Sequence, residues 1–342
     1  MKKLLLAVVG IMFAATSFAQ NALVASLSHG ENVSYYYGVT ALQQAVAAAE
    51  SGDIINLSSG SFNATNITKA ITLRGTGIDN KEPTYIANDF TINIPTEDAN
   101  RFMMEGIRCV NRMEMEGTFS NPYFVKCQFN NIGYSGYSQA ITNIMFANCK
   151  ITGSFDTRGS NTYSMVNCYI NHFTQNEASF ITANNCLIVD NGFHIYTYRQ
   201  TLFTNCIFVS SDGKGGYSDS SGATRYLPNN SQAKDCVAIN FPESFNIFHE
   251  LPFSNGCSTS PMSYATVFKT FTGTYSDEET FELTDDILEQ YPNLGLYGGP
   301  IPFDLTPSYP LIISLTTDSQ TDADGKLNNV NVVVSNPQKK GK

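Results

Sequence analysis

The chain has 342 residues, a formal net charge of −10 and only 20 lysines and arginines. Nucleic acids and anionic membranes bind basic surfaces, so this charge balance disfavours both as partners. The length alone would suggest two domains, unless short repeats stack into one elongated body.

The N-terminus predicts an exported protein. Lys2 and Lys3 precede an apolar run from Leu4 to Ala15, and the small residues Ser17 and Ala19 follow. This is the order of a cleavable secretory signal over residues 1–19. We therefore expect a periplasmic, cell-surface or extracellular location. We expect no transmembrane segment, because no later apolar run approaches the roughly 20 residues that a membrane helix needs.

A polar lead-in over residues 20–37 is followed by a predicted helix. Apolar residues recur at helical spacing from Ala41 to Glu50, and Thr40 with Gln43 forms a capping-box pattern. We expect this helix to cover the exposed apolar end of the coils that follow it.

One seven-residue phrase with a cysteine at its fifth position recurs five times between Tyr123 and Phe208. A repeat of this length cannot bury its own apolar face, so neighbouring copies must stack. The pattern therefore predicts a β-solenoid. The copies are YFVKCQF, MFANCKI, SMVNCYI, TANNCLI and LFTNCIF, around Cys127, Cys149, Cys168, Cys186 and Cys206, at steps of 22, 19, 18 and 20 residues.

The cysteines of the phrase are predicted to point inward, because the residues three before and two after each of them are apolar. Equivalent Cβ atoms on adjacent strands lie about 4.8 Å apart, which is somewhat too far for a relaxed disulfide. We therefore predict a ladder of reduced thiols that pack as small hydrophobic groups. Cys109 is expected to begin this ladder one coil early, and Cys257 is expected to be the exception to it.

The opening coils resemble a known family. The helix ends in SGD, and the segments DIINL, SGSF and ITLRGTG follow between Asp53 and Gly77. These segments resemble the start of the right-handed parallel β-helix proteins of the pectin-lyase-like superfamily. The resemblance covers about residues 38 to 258, and it implies an all-β solenoid. It leaves the activity open, because this superfamily includes lyases, hydrolases, esterases and adhesins. The asparagines before the cysteines resemble its stacked turn asparagines: Asn148, Asn167, Asn185 and Asn205.

Two segments follow the predicted β-helix of residues 38–258. Residues 259–305 form a closing segment with Gly-rich turns, which resembles the closing segment of a secreted branch of these proteins. Residues 306–342 are predicted to form a β-hairpin and a tail, with strands at Leu311 to Thr317 and Leu327 to Val334. Asp324-Gly325 suits the turn between them.

An outward stripe of ionisable residues follows from the register of the cysteines. Phe155, Phe173 and Phe193 each lie 13 residues before a cysteine. If these rings point inward, the next residues point outward. The predicted catalytic stripe and its neighbours are Asp156, Thr174, His194, Arg158, Glu177 and Arg199.

This stripe allows a catalytic interpretation and a plain one. In an acidic-polysaccharide lyase, Asp156 and Glu177 would bind Ca²⁺ while Arg158 or Arg199 abstracts a proton. Alternatively, His194 would act as a base with Tyr196 as the acid. Against both, Asp156 with Arg158 is equally a surface ion pair worth under about 1 kcal/mol.

A binding surface needs no catalytic group, and this is the function that we expect. Carboxylates spaced for glycoside hydrolysis are not evident. We expect a non-catalytic wall that presents polar and aromatic residues to a polysaccharide or a cell-surface protein, with no resident metal or cofactor. The alternative is a pectate-lyase-like enzyme that uses Ca²⁺. The candidate ligand-binding residues are Tyr196, Tyr198, Asp212, Lys214, Tyr217 and Arg225.

Overall fold

A computed structural model describes residues 23–79, 81–134, 140–157, 161–175, 179–190, 194–195, 201–211, 213, 231–243, 246–248, 251, 253–309, 311–316 and 331–335. These residues form an all-β protein, a parallel β-solenoid of about 8 turns. The predicted signal sequence lies outside the described residues. Within them, no helix combines the length and the apolar character that crossing a bilayer requires.

Short strands dominate the described chain, and three short helices accompany them. The helices are α1 (Ala41–Ala48), α2 (Tyr264–Val267) and α3 (Asp285–Gln290). The strands are β1 (Val24–His29), β2 (Asn32–Tyr37), β3 (Ile54–Leu57), β4 (Gly60–Asn63), β5 (Thr72–Arg74), β6 (Thr84–Ala87), β7 (Phe90–Ile92), β8 (Met103–Glu105), β9 (Ile107–Met115), β10 (Tyr123–Val125), β11 (Gln128–Tyr134), β12 (Ile144–Ala147), β13 (Lys150–Ile151), β14 (Phe155–Thr157), β15 (Thr162–Val166), β16 (Tyr169–Asn171), β17 (Phe173–Gln175), β18 (Phe180–Asn184), β19 (Leu187–Asp190), β20 (His194–Ile195), β21 (Thr201–Thr204), β22 (Ile207–Ser210), β23 (Gln232–Lys234), β24 (Val237–Ile239), β25 (Phe253–Asn255), β26 (Leu311–Thr316) and β27 (Asn331–Ser335).

Two long sheets form the walls of the solenoid. Sheet A has 12 strands in the order β2-β1-β3-β5-β8-β10-β12-β15-β18-β21-β23-β25. Sheet B has 13 strands, with the run β20-β17-β14-β11-β13-β16-β19-β22-β24 and with β4, β6, β7 and β9 joined at its start. Pairing is parallel throughout sheet B and from β3 onward in sheet A. Neighbouring strands within a sheet are not consecutive in the chain, because successive strands of a coil belong to different walls of the solenoid.

Equivalent side chains of successive coils stack inside the solenoid. Phe124 and Phe146 occupy the same register position, and their rings stack with centroids 4.8 Å apart. Both rings are fully buried. The repeat therefore works as the sequence predicts, with each coil burying the apolar face of the next.

No disulfide joins any of the eight cysteines, as the predicted reduced ladder requires. Cys109 is not a member of it, because the backbone pairs Cys109 with Phe129, two positions beyond Cys127. Ile107 fills the ladder position in that coil. Cys257 is the exception in burial, since it is only partly buried while the other seven cysteines are buried. It still lies in line with the ladder and ends it, because Asn255 pairs with Lys234 and Cys257 therefore follows Cys236.

The N-terminal end of sheet A is a hairpin that the sequence did not indicate. Residues of the predicted polar lead-in form β1 and β2, which pair antiparallel with each other, and β1 continues onto β3. Helix α1 packs its apolar face on the interior beside them. The prediction of a capping box is wrong. The Thr40 side chain caps no backbone amide, and Gln43 Nε2 donates to Ala64 O at 3.0 Å. Right-handed winding and a capping role for α1 remain predictions.

The C-terminal hairpin is confirmed as an antiparallel pair. Strands β26 and β27 form a separate two-stranded sheet, with Leu311 opposite Ser335. The predicted turn at Asp324-Gly325 lies outside the described residues.

Candidate functional site

The predicted stripe on sheet B has the register that the cysteine spacing implies. Phe155 pairs with Phe173, and Asp156 pairs with Thr174, which pairs with His194. Phe155 is fully buried and the next residue, Asp156, is half-buried, as alternation requires. The three stripe positions therefore lie side by side on strands β14, β17 and β20.

The other residues of the predicted catalytic and ligand-binding sets lie outside the described part of the chain, as does the side chain of His194. The structure thus aligns the stripe without placing the groups that would make it catalytic. These residues are Arg158, Glu177, Tyr196, Tyr198, Arg199, Asp212, Lys214, Tyr217 and Arg225.

Gln128, the residue directly after Cys127, and its register partners on the other coils point outward from sheet B. They form a single row, which changes from polar to apolar along the solenoid. The closing segment covers the apolar part and builds a second hydrophobic cluster there. Phe281 stacks on Tyr169 in this cluster, with ring centroids 5.0 Å apart. The outer face of this part of sheet B is therefore an internal interface. In order, the row is Arg108, Gln128, Lys150, Tyr169, Leu187, Ile207 and Val237.

A charged cluster occupies the polar end of this row. Arg108 Nη1 donates to Asp277 Oδ2 at 2.9 Å, and Tyr275 OH donates to Asp277 Oδ1 at 2.9 Å. Lys150 Nζ donates to Asp79 Oδ1 at 3.4 Å, although the lysine side chain is only 3% exposed. The Arg108–Asp277 pair therefore anchors the closing segment to sheet B, and the Lys150–Asp79 pair anchors the loop between β5 and β6 to the same sheet.

The ionisation of Asp277 reflects this pairing. Burial opposes the charged form, but the hydrogen bond from Tyr275 and the guanidinium of Arg108 outweigh it and hold the pKa of this carboxyl below its ordinary value. Burial and the same hydrogen bond raise the pKa of Tyr275. A carboxylate held ionised by a fixed arginine is a poor proton acceptor, which makes this cluster an unsuitable catalytic base.

The asparagines before the cysteines form a ridge between the two sheets. Asn148, Asn167, Asn185 and Asn205 have φ of 54°, 51°, 56° and 52°, the left-handed conformation that asparagine tolerates better than most residues. This conformation turns the chain from sheet A into sheet B once per coil. The predicted stacked turn asparagines are therefore present.

Residues 291–309, here called the closing strap, run back along this ridge. Gly295 N donates to Asn205 O at 2.9 Å, and Asn167 Nδ2 donates to Gly298 O at 3.0 Å. Farther along, Lys126 Nζ pairs with Asp304 Oδ2 at 3.3 Å. Ser308 N donates to the buried carboxylate of Glu105 at 2.8 Å. The strap therefore satisfies polar groups on one coil after another.

The outer face of sheet A is arranged differently. Tyr123, which lies four residues before Cys127, and its register partners on the other coils point outward there and form a row of partly exposed side chains. Tyr123 lies beside Met145, and the Arg101 guanidinium lies 4.6 Å from the Tyr123 ring centroid. None of the apolar members belongs to either hydrophobic cluster of the described residues. The row is Thr72, Met103, Tyr123, Met145, Ser164, Thr182, Leu202 and Gln232.

The repeated phrase carries a signal for this row in the sequence. The first residue of the repeated phrase is apolar in three of its five copies, at Tyr123, Met145 and Leu202. Since the next residue points inward, the first must point outward.

Within the described residues, no group of three or more histidine, cysteine or acidic side chains has the arrangement of a metal site. Comparisons of the chain with protein-family models, with curated proteins and with solved structures found no match.

Proposed function

We propose that this chain is an exported cell-envelope protein that binds a partner protein through the outer face of sheet A. The single observation that carries the proposal is that the outer faces of the two sheets differ in how far their apolar side chains are covered. The closing segment covers apolar side chains on sheet B, whereas Tyr123, Met145 and Leu202 on sheet A stay partly exposed and outside both clusters.

The chemistry of the sheet A row favours a protein as the ligand. Tyrosine, methionine and arginine are enriched at the centres of protein interfaces, and Tyr123, Met145 and Arg101 supply all three. Methionine adapts its shape to a partner surface. A glycan surface would instead rest on flat aromatic platforms, and the chain has no tryptophan.

Site-specific photo-cross-linking tests this surface in the native host. A benzophenone amino acid at Tyr123 is expected to give one dominant adduct with an envelope protein, whose identity mass spectrometry then establishes. The same group at Ile301, which is 55% exposed on the closing strap, is the matched control and is expected to give none. The purified partner should then bind the wild type at least about tenfold more tightly than Met145→Ala/Tyr123→Ala.

A parallel measurement separates the alternative functions. The purified protein is incubated with a panel of uronic-acid polymers, with and without Ca²⁺, and absorbance is followed for unsaturated products. Product formation would support the lyase and overturn the proposal. Polymer binding without product, lost in the Tyr123→Ala variant, would keep the surface but assign it to a glycan.

A further inference from the structure

The strand at the N-terminal edge of sheet A has an unusual surface. Strand β2 pairs only with β1 and is the outermost strand of the sheet among the described residues. Val33, Tyr35 and Tyr37 are 50%, 60% and 63% exposed, and Val39 just beyond is 54% exposed. Large exposed hydrophobic side chains therefore concentrate at this one edge, which is typical of an interaction site.

Edge strands are usually protected against pairing with another chain. Natural proteins protect them with lysine, proline, inward-pointing charges or bulges. From Asn32 to Tyr37 the strand reads NVSYYY, which contains none of those residues, and its pairing with β1 is regular over all six positions. Among the described residues, no strand pairs with this edge, so its backbone groups are available to a further strand.

The hydrogen-bond pattern shows which backbone groups face outward. Gly38 N donates to Leu23 O at 2.9 Å, so Gly38 is bonded towards β1. Bonded and non-bonded pairs alternate in an antiparallel ladder. The amides and carbonyls of Val33, Tyr35 and Tyr37 therefore point away from β1, towards the open edge. The residues with exposed side chains are thus also the residues with outward backbone groups.

We propose that a second copy of this chain occupies the edge, with the two β2 strands antiparallel and a two-fold axis at Tyr35. In this register Tyr35 pairs with Tyr35 of the second copy, and Val33 pairs with Tyr37. Val33, Tyr35 and Tyr37 must pair with one another across the interface, because only these residues carry backbone groups that point outward. Each pair is then a hydrogen-bonded pair, which is the geometry that those groups require.

The side chains of the pairing are complementary. Directly opposed aromatic pairs, and aromatic residues opposite β-branched ones, stabilise antiparallel strands. The pairing provides both kinds, on the same outward face of the sheet. Charge does not oppose it, because the strand from Asn32 to Tyr37 is uncharged. The interface is short, so we expect a dimer that dissociates on dilution.

This inference is independent of the proposed function. Dimerisation would join two copies of sheet A into one continuous sheet, but it does not require the Tyr123 row to bind a partner.

Cross-linking tests the register. In a hydrogen-bonded antiparallel pair the Cα atoms lie about 5.5 Å apart, within the range for a disulfide. Tyr35→Cys is therefore expected to form a covalent dimer on mild oxidation of the full chain, detected by non-reducing electrophoresis. Val33→Cys is the matched control, since Val33 pairs with Tyr37 in this register and its two copies would lie about 13 Å apart along the strands. Equal cross-linking at both positions, or none at Tyr35→Cys, would overturn the proposal.

Charge variants test the same contact without a covalent bond. Tyr35→Lys places two lysines opposite each other and is expected to raise the dimer dissociation constant about tenfold or more. Mixing Tyr35→Lys with Tyr35→Glu should restore dimers, because opposite charges then meet. Sedimentation velocity over a concentration series measures both effects. A wild type that stays monomeric at every concentration, or a mixture no more associated than Tyr35→Lys alone, would contradict the pairing.

Discussion

At the residue scale, the closing strap depends on glycines that allow a close approach to the asparagine ridge. Gly299 has φ of 74°, and a Cβ atom there would lie 2.8 Å from Asn185 Oδ1. Gly298 is equally confined, since a Cβ atom there would lie 1.9 Å from Asn293 O. The Gly-rich turns predicted in the closing segment therefore have a steric reason as well as a conformational one.

We predict that Gly299→Ala lowers the free energy of unfolding by about 2–3 kcal/mol, because it combines left-handed strain with a clash. Gly38→Ala is the matched control. Gly38 has φ of 85° but no atom within 4 Å of an added Cβ, so only the strain of about 1 kcal/mol applies. Urea unfolding measures both variants, and equal losses would show that the contact with Asn185 is not tight.

At the element scale, charge holds the closing segment on the solenoid. Arg108 and Asp277 are 169 residues apart in sequence, and Lys126 and Asp304 are 178 residues apart. Although burial favours the protonated form of Asp304, hydrogen bonds from Thr306 and the charge of Lys126 keep the pKa of this carboxyl below its ordinary value. Both carboxylates therefore stabilise the attached segment only while they are ionised.

The sign of the resulting pH dependence follows from these lowered pKa values. A carboxyl whose pKa is lower in the folded state contributes stability above its unfolded pKa, near 4, and this contribution disappears as the pH falls below that value. We predict that amides of the closing strap lose hydrogen-exchange protection, corrected for intrinsic rates, between pH 5 and about pH 3, before the strands of sheet A do.

The matched variant for this test is Asp277→Asn/Asp304→Asn. It should be less protected in the strap at pH 7, and it should change less than the wild type on acidification. Strap protection that is independent of pH in the wild type would contradict the role assigned to the two carboxylates.

At the scale of the whole molecule, one aligned column of thiols runs through the stacked coils. Cys149, Cys168, Cys186 and Cys206 are fully buried, and their Sγ atoms lie against backbone carbonyl oxygens. Burial raises the pKa of Cys127 to about 12, so its reactive thiolate is scarce at neutral pH. The column packs as a hydrophobic seam along the interior.

We predict that the unfolded, unreduced protein titrates as eight thiols with a chromogenic disulfide reagent. The native protein should react only at Cys257, which is partly exposed at the end of the column, and slowly there because the hydrogen bond with Cys236 and burial raise its pKa. Fewer than about four thiols after unfolding would indicate disulfides and contradict the ladder.

The sequence by itself determined the interior of this protein. The positions of Phe124, Cys127 and Phe129 in the repeated phrase were enough to predict the stacked coils, the reduced thiols and the register of Asp156 with Thr174 and His194. The reason is physical: in a solenoid each coil contacts its neighbours, so one local period defines the whole core.

Only the tertiary structure decided which outer surfaces are covered. The apolar residues Leu187, Ile207 and Val237, each directly after a cysteine, pack against the closing segment, and no local pattern in the sequence assigns that segment to them. Contacts between residues more than 100 positions apart, such as Asn185 with Asn293, leave no periodic trace in the sequence. The sequence of β2 likewise does not tell which of its backbone groups point outward. That depends on which residues form hydrogen-bonded pairs with β1, and the pairing involves both strands.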